Sequence, residues 1–449
     1  MKKITNNQFT GEQRSLLLRK NIAASVIIKG WSVIVQLLLV PTTLSCLGIY
    51  ENGVWLTISS VLLWIDNLDI GLGNGLRNKL AESIAKNDYN MAKQYISSTF
   101  VMLIVIIIPI LTLLILTELL IDNYALFNVD KIIVNNLDAT IIVATIMVCS
   151  TFVFKFIGNF FIGLQLPAIN NLLVASGNTL ALISTACISY SDYHSLLLVA
   201  FVNTASPLLA YIICYAITFY GKYSALRPSM SSVKMKSIKT LFSLGINFFV
   251  LQISGIILFF SANIIISQLF SPSFVTLYQI AHRYFMTATL FFSIIGVPYW
   301  NATTDAYIRK DYVWIKKSNK TLNILMLALA ILILTMIISS NVIYRIWIGD
   351  KASIPFTMTC ITGIYQFILI WSSRYSFVLN GLGLLRIQLI VTVIAAILFI
   401  PLAIFVGRIT NNINCLLIVM CLINIPGLFF NKIQYKKFEN GKLKGIWSK

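Results

Sequence analysis

Apolar residues run through this chain in long unbroken blocks rather than in alternation. A helix needs about 20 such residues to cross the hydrocarbon layer of a bilayer. Twelve blocks of that length can be traced: 22–45, 53–70, 97–121, 139–163, 169–189 and 195–220, then 241–269, 275–300, 321–340, 355–379, 386–407 and 411–431. Membrane-spanning strands would show a period of two, which these blocks lack. The pattern predicts an all-α polytopic membrane protein with two bundles of six spans. The longest polar interruption, 221–240, falls at the midpoint. It divides the chain into an N-terminal bundle over 1–220, a basic linker over 221–240 and a C-terminal bundle over 241–449.

Composition agrees. Hydrophobic residues make up 58% of the 449 residues and charged ones 11%, against ~45–50% and ~25% in soluble domains. The mean hydropathy is +0.85. The formal charge of +19 would suggest nucleic acid in a soluble chain. Here it lies between the blocks, as in cytoplasmic loops, and nucleic acid is not an expected partner. With the N-terminus inside, and Arg386 at the edge of its span counted with the inner loop, 26 of the 34 Lys and Arg fall in inner segments, 4 in outer loops and 4 within spans. That bias places both termini in the cytoplasm of a bacterial inner-membrane protein. The basic stretch before the first block is too long for a cleavable signal peptide. Seven cysteines, with no CxxC among them, read as small buried hydrophobes.

The second half repeats the first. At an offset of 223, Trp55 falls on Tyr278, Gly73 on Gly296, Asn78 on Asn301 and Glu82 on Asp305; Lys86, Asp88 and Tyr89 fall on Arg309, Asp311 and Tyr312. Beyond the third span the offset becomes 218, pairing Gly163, Leu164 and Leu166 with Gly381, Leu382 and Leu384. The five-residue change belongs in the outer loop near 122–138. Six spans per half give a parallel repeat about an axis along the membrane normal, and such pairs commonly enclose a transport cleft.

Charge inside a span is expensive, about 2.5–3.5 kcal/mol or more, so it marks a wet cavity or a partner. Lys29, Lys155 and Arg374 lie in the inner half of their spans, and Arg283 lies in the outer half. Snorkelling to the interface explains each of them individually. Together they suit an anion, Arg through bidentate contacts and Lys as a point charge. Asp66, Asp69 and His282 are candidates to tune those cations or to carry a coupling proton or sodium ion. Glu118 and Asp122 close the outer end of span three. The run Gly71-Leu72-Gly73-Asn74-Gly75 follows an apolar helix rather than a strand, so it reads as a flexible span end and not a dinucleotide loop. Arg345-Ile-Trp347-Ile-Gly349-Asp350 and Trp371 read as interfacial anchors. No enzyme constellation, cofactor motif or metal cluster is seen.

Residues 50–93 carry a resemblance. Tyr50-Glu-Asn-Gly53-Val-Trp55, then Trp64-Ile-Asp66-Asn-Leu-Asp69-Ile-Gly71-Leu-Gly73-Asn74-Gly75-Leu-Arg77-Asn78, resembles the second span and following loop of Wzx-type O-antigen and capsule flippases. Those belong to a superfamily that also holds the MATE drug/ion antiporters and the lipid II flippases. The resemblance implies a V-shaped pair of bundles, alternating access and a cationic lumen. Its implied substrate is an undecaprenyl-diphosphate-linked oligosaccharide moved to the periplasmic leaflet. Polysaccharide polymerase and chain-length regulator proteins are its implied partners, beside membrane lipids. Lys29, Lys155, Arg283 and Arg374 are assigned to that substrate as cations within spans, not through a matched motif. Two alternatives stay open. A multidrug antiporter of the same fold would want acids where this chain has bases. A membrane glycosyltransferase or polymerase would want larger outer loops.

Overall fold

A computed structural model describes residues 11–66, 72–235, 237–238, 241 and 261–448. The described residues are helical almost throughout, and ten of the helices are long and apolar enough to cross a membrane. Helix α1 (Gly11–Asp66) carries the first two predicted spans, broken at Gly48, where φ is 66° and ψ is −173°. There follow α2 (Leu72–Ala85), α3 (Tyr89–Leu120), the short α4 (Asn123–Phe127), α5 (Leu137–Phe154), α6 (Phe156–Gly163), α7 (Pro167–Ser189) and α8 (Leu196–Tyr220). The seventh predicted span is described as helix α9 over 261–269; its remainder lies outside the described residues, apart from Leu241. Then come α10 (Pro272–Ile308), α11 (Tyr312–Ile348), α12 (Phe356–Gly381), α13 (Arg386–Thr410) and α14 (Ile413–Glu439).

The helices outrun the apolar blocks, because backbone hydrogen bonding continues into the polar flanks once a helix is started. Span four differs from expectation. It is interrupted at Lys155, which sits in a turn between α5 and α6 and donates its N–H to Thr151 O at 2.8 Å. The glycine run at 71–75 also departs from expectation where it is described. Leu72–Gly75 opens α2 rather than ending a span flexibly, and a Cβ on Gly75 would lie 2.9 Å from Leu241 O. Glycine is needed there for close approach. Cys187 is exposed rather than buried. An apolar residue on the lipid-facing side of a span needs no protein cover.

Chain contacts divide the described residues into two compact units. The first takes those up to Cys46, Ile65–Ile121 and from Asp138 to Leu241; the second takes Leu47–Trp64, Asp122–Leu137 and from Ser261 on. This division crosses the 1–220/241–449 boundary, because the second arm of α1 and the 122–137 connection group with the C-terminal helices. The 221–235 stretch belongs to the first unit and is strapped along α3. Ser229 and Lys234 donate their N–H groups to Ser97 and Ser98 Oγ at 3.1 and 3.3 Å, with Leu226 buried beneath.

In the first unit α7 packs on α8, and α2 lies between α3 and α6. Trp31 donates Nε1–H to Thr179 at 3.0 Å, joining the first arm of α1 to α7. Phe100, Phe154, Phe156, Tyr215 and Phe219 form a continuous aromatic stack around the Lys155 turn.

In the second unit α12 packs between α10 and α14. The second arm of α1 runs beside α10. Thr276 donates Oγ1–H to Ile49 O at 2.7 Å, and Gly53 lies so close to Pro272 that a Cβ would fall on its carbonyl. At the offset of 223, Thr276 is the counterpart of Gly53 and Pro272 that of Ile49. A contact repeated with its partners exchanged is what a two-fold axis produces.

Local turns are repeated in the same detail. Lys86, Asn87 and Asp88 donate N–H groups to Glu82, Ile84 and Ser83 carbonyls at 3.1, 3.0 and 2.9 Å; Arg309, Lys310 and Asp311 donate to Asp305, Tyr307 and Ala306 at 3.0, 3.0 and 2.8 Å. Asn87 and Lys310 both take positive φ, 56° and 61°. At the offset of 218, Leu164, Gln165 and Leu166 bond as Leu382, Gly383 and Leu384 do. Gly163 abuts Arg77 O and Leu80, while Gly381 abuts their counterparts Trp300 O and Thr303. The connections α3–α5 and α11–α12 break the pattern. The first half spends 121–136 and a short helix between α3 and α5, whereas the second joins α11 to α12 through 349–355 and one 3-10 turn, Gly349–Lys351.

Candidate functional site

The sequence-derived candidates fall in both units. In the first, Lys29 is exposed on α1, as Ile27 and Trp31 are. Lys155 is half-buried at the α5–α6 turn, flanked by the aromatic stack. At this point the ladder shifts register: Lys155 N–H still bonds Thr151 O, while Lys155 O accepts Gly158 N–H at 3.0 Å.

In the second unit Arg374 is 3% exposed, beside the apolar cluster of Ile315, Leu322, Leu379 and Tyr435. Its guanidinium donates to Asn319 Oδ1 at 2.6 Å and to Asn319 O at 3.4 Å, tying α12 to α11. It also reaches the Tyr375 hydroxyl at 3.3 Å and lies 4.5 Å from that ring's centroid. Its Nε has no partner among the described residues. This arrangement holds a positive charge with neutral dipoles and a ring face.

Arg283 is half-buried on α10 and continues a polar stripe, Thr276 and Gln279, at helical spacing. Gln279 donates to Asn263 Oδ1 at 2.7 Å, and Asn263 donates to Leu56 O at 3.3 Å, binding α10, α9 and the second arm of α1. His282 lies one position earlier, its ring 5.6 Å from Tyr278 and 6.4 Å from Tyr365. Its Nδ1 and the Tyr365 hydroxyl are buried without a partner among the described residues. Arg283, Arg374 and His282 thus share one unit, while Lys29 and Lys155 share the other. Asp66 closes α1, its side chain outside the described set, and Asp69 lies outside the described residues altogether. Sequence reasoning missed Asn319, Gln279 and Asn263. They are ordinary amides in polar flanks or spans, and only the packing brings them to a charge or to one another.

Lys29, Arg283 and Arg374 make no ion pair with a described residue. Ion pairs stand at the α2 and α10 ends: Lys79 and Lys86 grip Glu82 at 2.8 and 2.7 Å, and Arg309 grips Asp305 at 3.0 Å. The two lysines hold the Glu82 carboxyl down to about 2. Among the described residues no cluster could hold a metal ion.

The sequence matches no known family model and no curated protein. Solved structures do match. One is described as the inward-facing conformation of a multidrug resistance MATE family transporter of the MOP superfamily: TM-score 0.77, 13% identity, 93% of this chain and 98% of that one. The outward-facing conformation of such a transporter gives 0.64 at 13%, covering 95% and 96%. A MATE protein in its bent conformation gives 0.59 at 13%, covering 96% and 99%. At such low identity the likeness speaks for architecture alone. The chain is a multi-pass helical membrane protein with the fold of the MATE transporters.

Proposed function

We propose that the protein is a membrane transporter working by alternating access, and that it flips an undecaprenyl-diphosphate-linked oligosaccharide from the cytoplasmic to the periplasmic leaflet. The fold supports transport, and the resemblance over 50–93 supports the sugar. The observation that carries the substrate class is the sign of the charge within the spans. Lys29, Arg283 and Arg374 bring positive charge into apolar helices with no carboxylate paired to it among the described residues. A diphosphate supplies the missing negative charge. Lys29 and Lys155 then meet the head group from the cytoplasmic side, and Arg283 holds it nearer the outer face.

The fold suits a multidrug antiporter equally well, and the similar structures are described as such. Cationic drugs, however, require acids where this chain presents bases. Deleting the gene separates the two readings. The flippase reading expects loss of surface polysaccharide and accumulation of lipid-linked oligosaccharide on the cytoplasmic face, with complementation impaired by Lys29→Ala, Arg283→Ala or Arg374→Ala. Unchanged polysaccharide together with new drug sensitivity establishes the antiporter instead.

A further inference from the structure

An open cavity of about 460 Å³ lies in the second unit, on the side that the charge bias assigns to the outer face, within the ~300–1,000 Å³ of small-molecule sites. Three stretches distant in sequence build it. Tyr50 follows the break at Gly48. Tyr124, Asn128 and Asp130 come from the 122–137 connection. Phe270 and Ser271 form the corner between α9 and α10.

The walls are fixed by hydrogen bonds. Asn128 Nδ2 donates to Ser267 O at 3.0 Å, and Ser267 Oγ donates to Phe127 O at 2.6 Å. The Gln268 amide donates to the carbonyls of Ala125, at 2.8 Å, and of Leu126. Asp130 N–H donates to the Tyr50 hydroxyl at 2.9 Å, and Leu137 N–H to the Tyr124 hydroxyl at 3.2 Å. The connection is therefore a set part of the wall, ordered before any ligand arrives.

The chemistry left over is specific. Each phenol oxygen accepts a backbone N–H and keeps its own proton to donate. Ser271 Oγ accepts Ser273 N–H at 3.2 Å and likewise keeps its proton. Asp130 Oδ1 accepts Ile132 N–H at 2.8 Å, which leaves Oδ2 as an acceptor. Asn128 spends its amide N–H on Ser267 and keeps its oxygen. The cavity thus joins three aromatic rings with hydroxyl donors, an amide oxygen and one carboxylate oxygen. A sugar ring has an apolar C–H face and a rim of hydroxyls that both donate and accept, so it fits both halves of that set. A phosphate does not, because Asp130 repels it. An organic cation would suit the rings and Asp130, but the Lys131 ammonium, 5.3 Å from the centroid of the Tyr124 ring, repels a second positive charge where it leaves a neutral sugar unaffected.

We infer that this cavity is a saccharide subsite on the outer face, which receives a sugar residue of the cargo after the head group has crossed. The inference rests on the transport reading for the presence of a sugar on the substrate.

The test has two arms. Full-length protein in lipid nanodiscs is titrated with the free oligosaccharide released by acid from the host's surface polysaccharide, and separately with tetraphenylphosphonium. Wild type is expected to bind the saccharide. Tyr124→Ala and Asp130→Asn weaken it at least tenfold, Tyr50→Phe weakens it less, and Tyr190→Ala, an exposed aromatic elsewhere, leaves it unchanged. Gel-filtration profiles certify that each variant is folded. No saccharide binding by wild type, binding that survives both substitutions, or binding of tetraphenylphosphonium in its place overturns the subsite. In cells, a deletion strain with normal polysaccharide overturns the flippase reading and leaves the binding result standing. A strain that loses polysaccharide, but is fully restored by the Tyr124→Ala/Asp130→Asn double variant, overturns the subsite alone.

Discussion

The turn at 82–91 and the turn at 305–314 are one structure written in two sequences, while the spans around them have diverged. Both turns close with the same three backbone bonds, a positive-φ residue and an aspartate cap: Asp88 accepts Met91 N–H at 2.8 Å and Asp311 accepts Trp314 N–H at 2.9 Å. Inside the spans the counterparts differ in kind. Arg283 stands where the first half has Ser60, His282 where it has Ser59 and Arg374 where it has Phe156; Lys155 stands where the second half has Ser373. Turns are held by backbone geometry and tolerate few alternatives. Span interiors are held by side-chain packing rather than by a fixed backbone geometry, so chemistry can be divided unequally over a duplicated frame.

The comparison can be broken most forcibly at the reciprocal contact. Gly53→Ala places a methyl group on the Pro272 carbonyl, which cannot rotate away. Overpacking typically costs about 1–3 kcal/mol, occasionally more, and the upper end is expected here. Gly30→Ala has nothing within 4 Å and should not destabilise. Thermal unfolding in detergent reads both, and equal midpoints for the two would refute the close approach.

Arg374→Ala removes hydrogen bonds from a charged donor, worth about 1.5–3 kcal/mol, and loosens α11 from α12. Arg374→Lys should recover only part of this, having no planar fork. If alanine is tolerated without loss of stability, the Asn319 contact is incidental.

The caps sharpen the likeness rather than the difference. Asp88→Ala and Asp311→Ala should each cost about 1 kcal/mol, and by similar amounts if the turns are equivalent. A gap of more than a factor of two would show that one turn bears more of the fold than the other.

The smallest effect concerns residues 87 and 310. Asparagine tolerates positive φ and lysine does so poorly. Lys310→Asn should therefore stabilise by less than about 1 kcal/mol, and Asn87→Lys should do the reverse. Unfolding midpoints that move in the same direction would contradict this.

Much of the architecture was legible because lipid imposes a length on apolar blocks, and duplication leaves matching turn residues. The helix over 386–410, for example, begins where its block does, and the offsets of 223 and 218 reappear as identical bond patterns. The break at Lys155 was not legible, since no proline or glycine marks it and the flanking residues are ordinary apolar ones. The four span cations were visible by being out of place. Asn319 beneath Arg374 was not, because 55 residues separate them and nothing in either stretch announces the other. The outer cavity was hidden for the same reason: Tyr50 and Phe270 meet only through folding.

The unequal outer connections carry a consequence for stoichiometry. A faithfully duplicated chain would offer two equivalent sites, related by its internal axis and able to compete or cooperate. The longer connection exists in one copy, with its counterpart reduced to a single turn, so the saccharide subsite is monovalent. One sugar per chain and a hyperbolic isotherm follow, with no cooperativity to be found within the monomer.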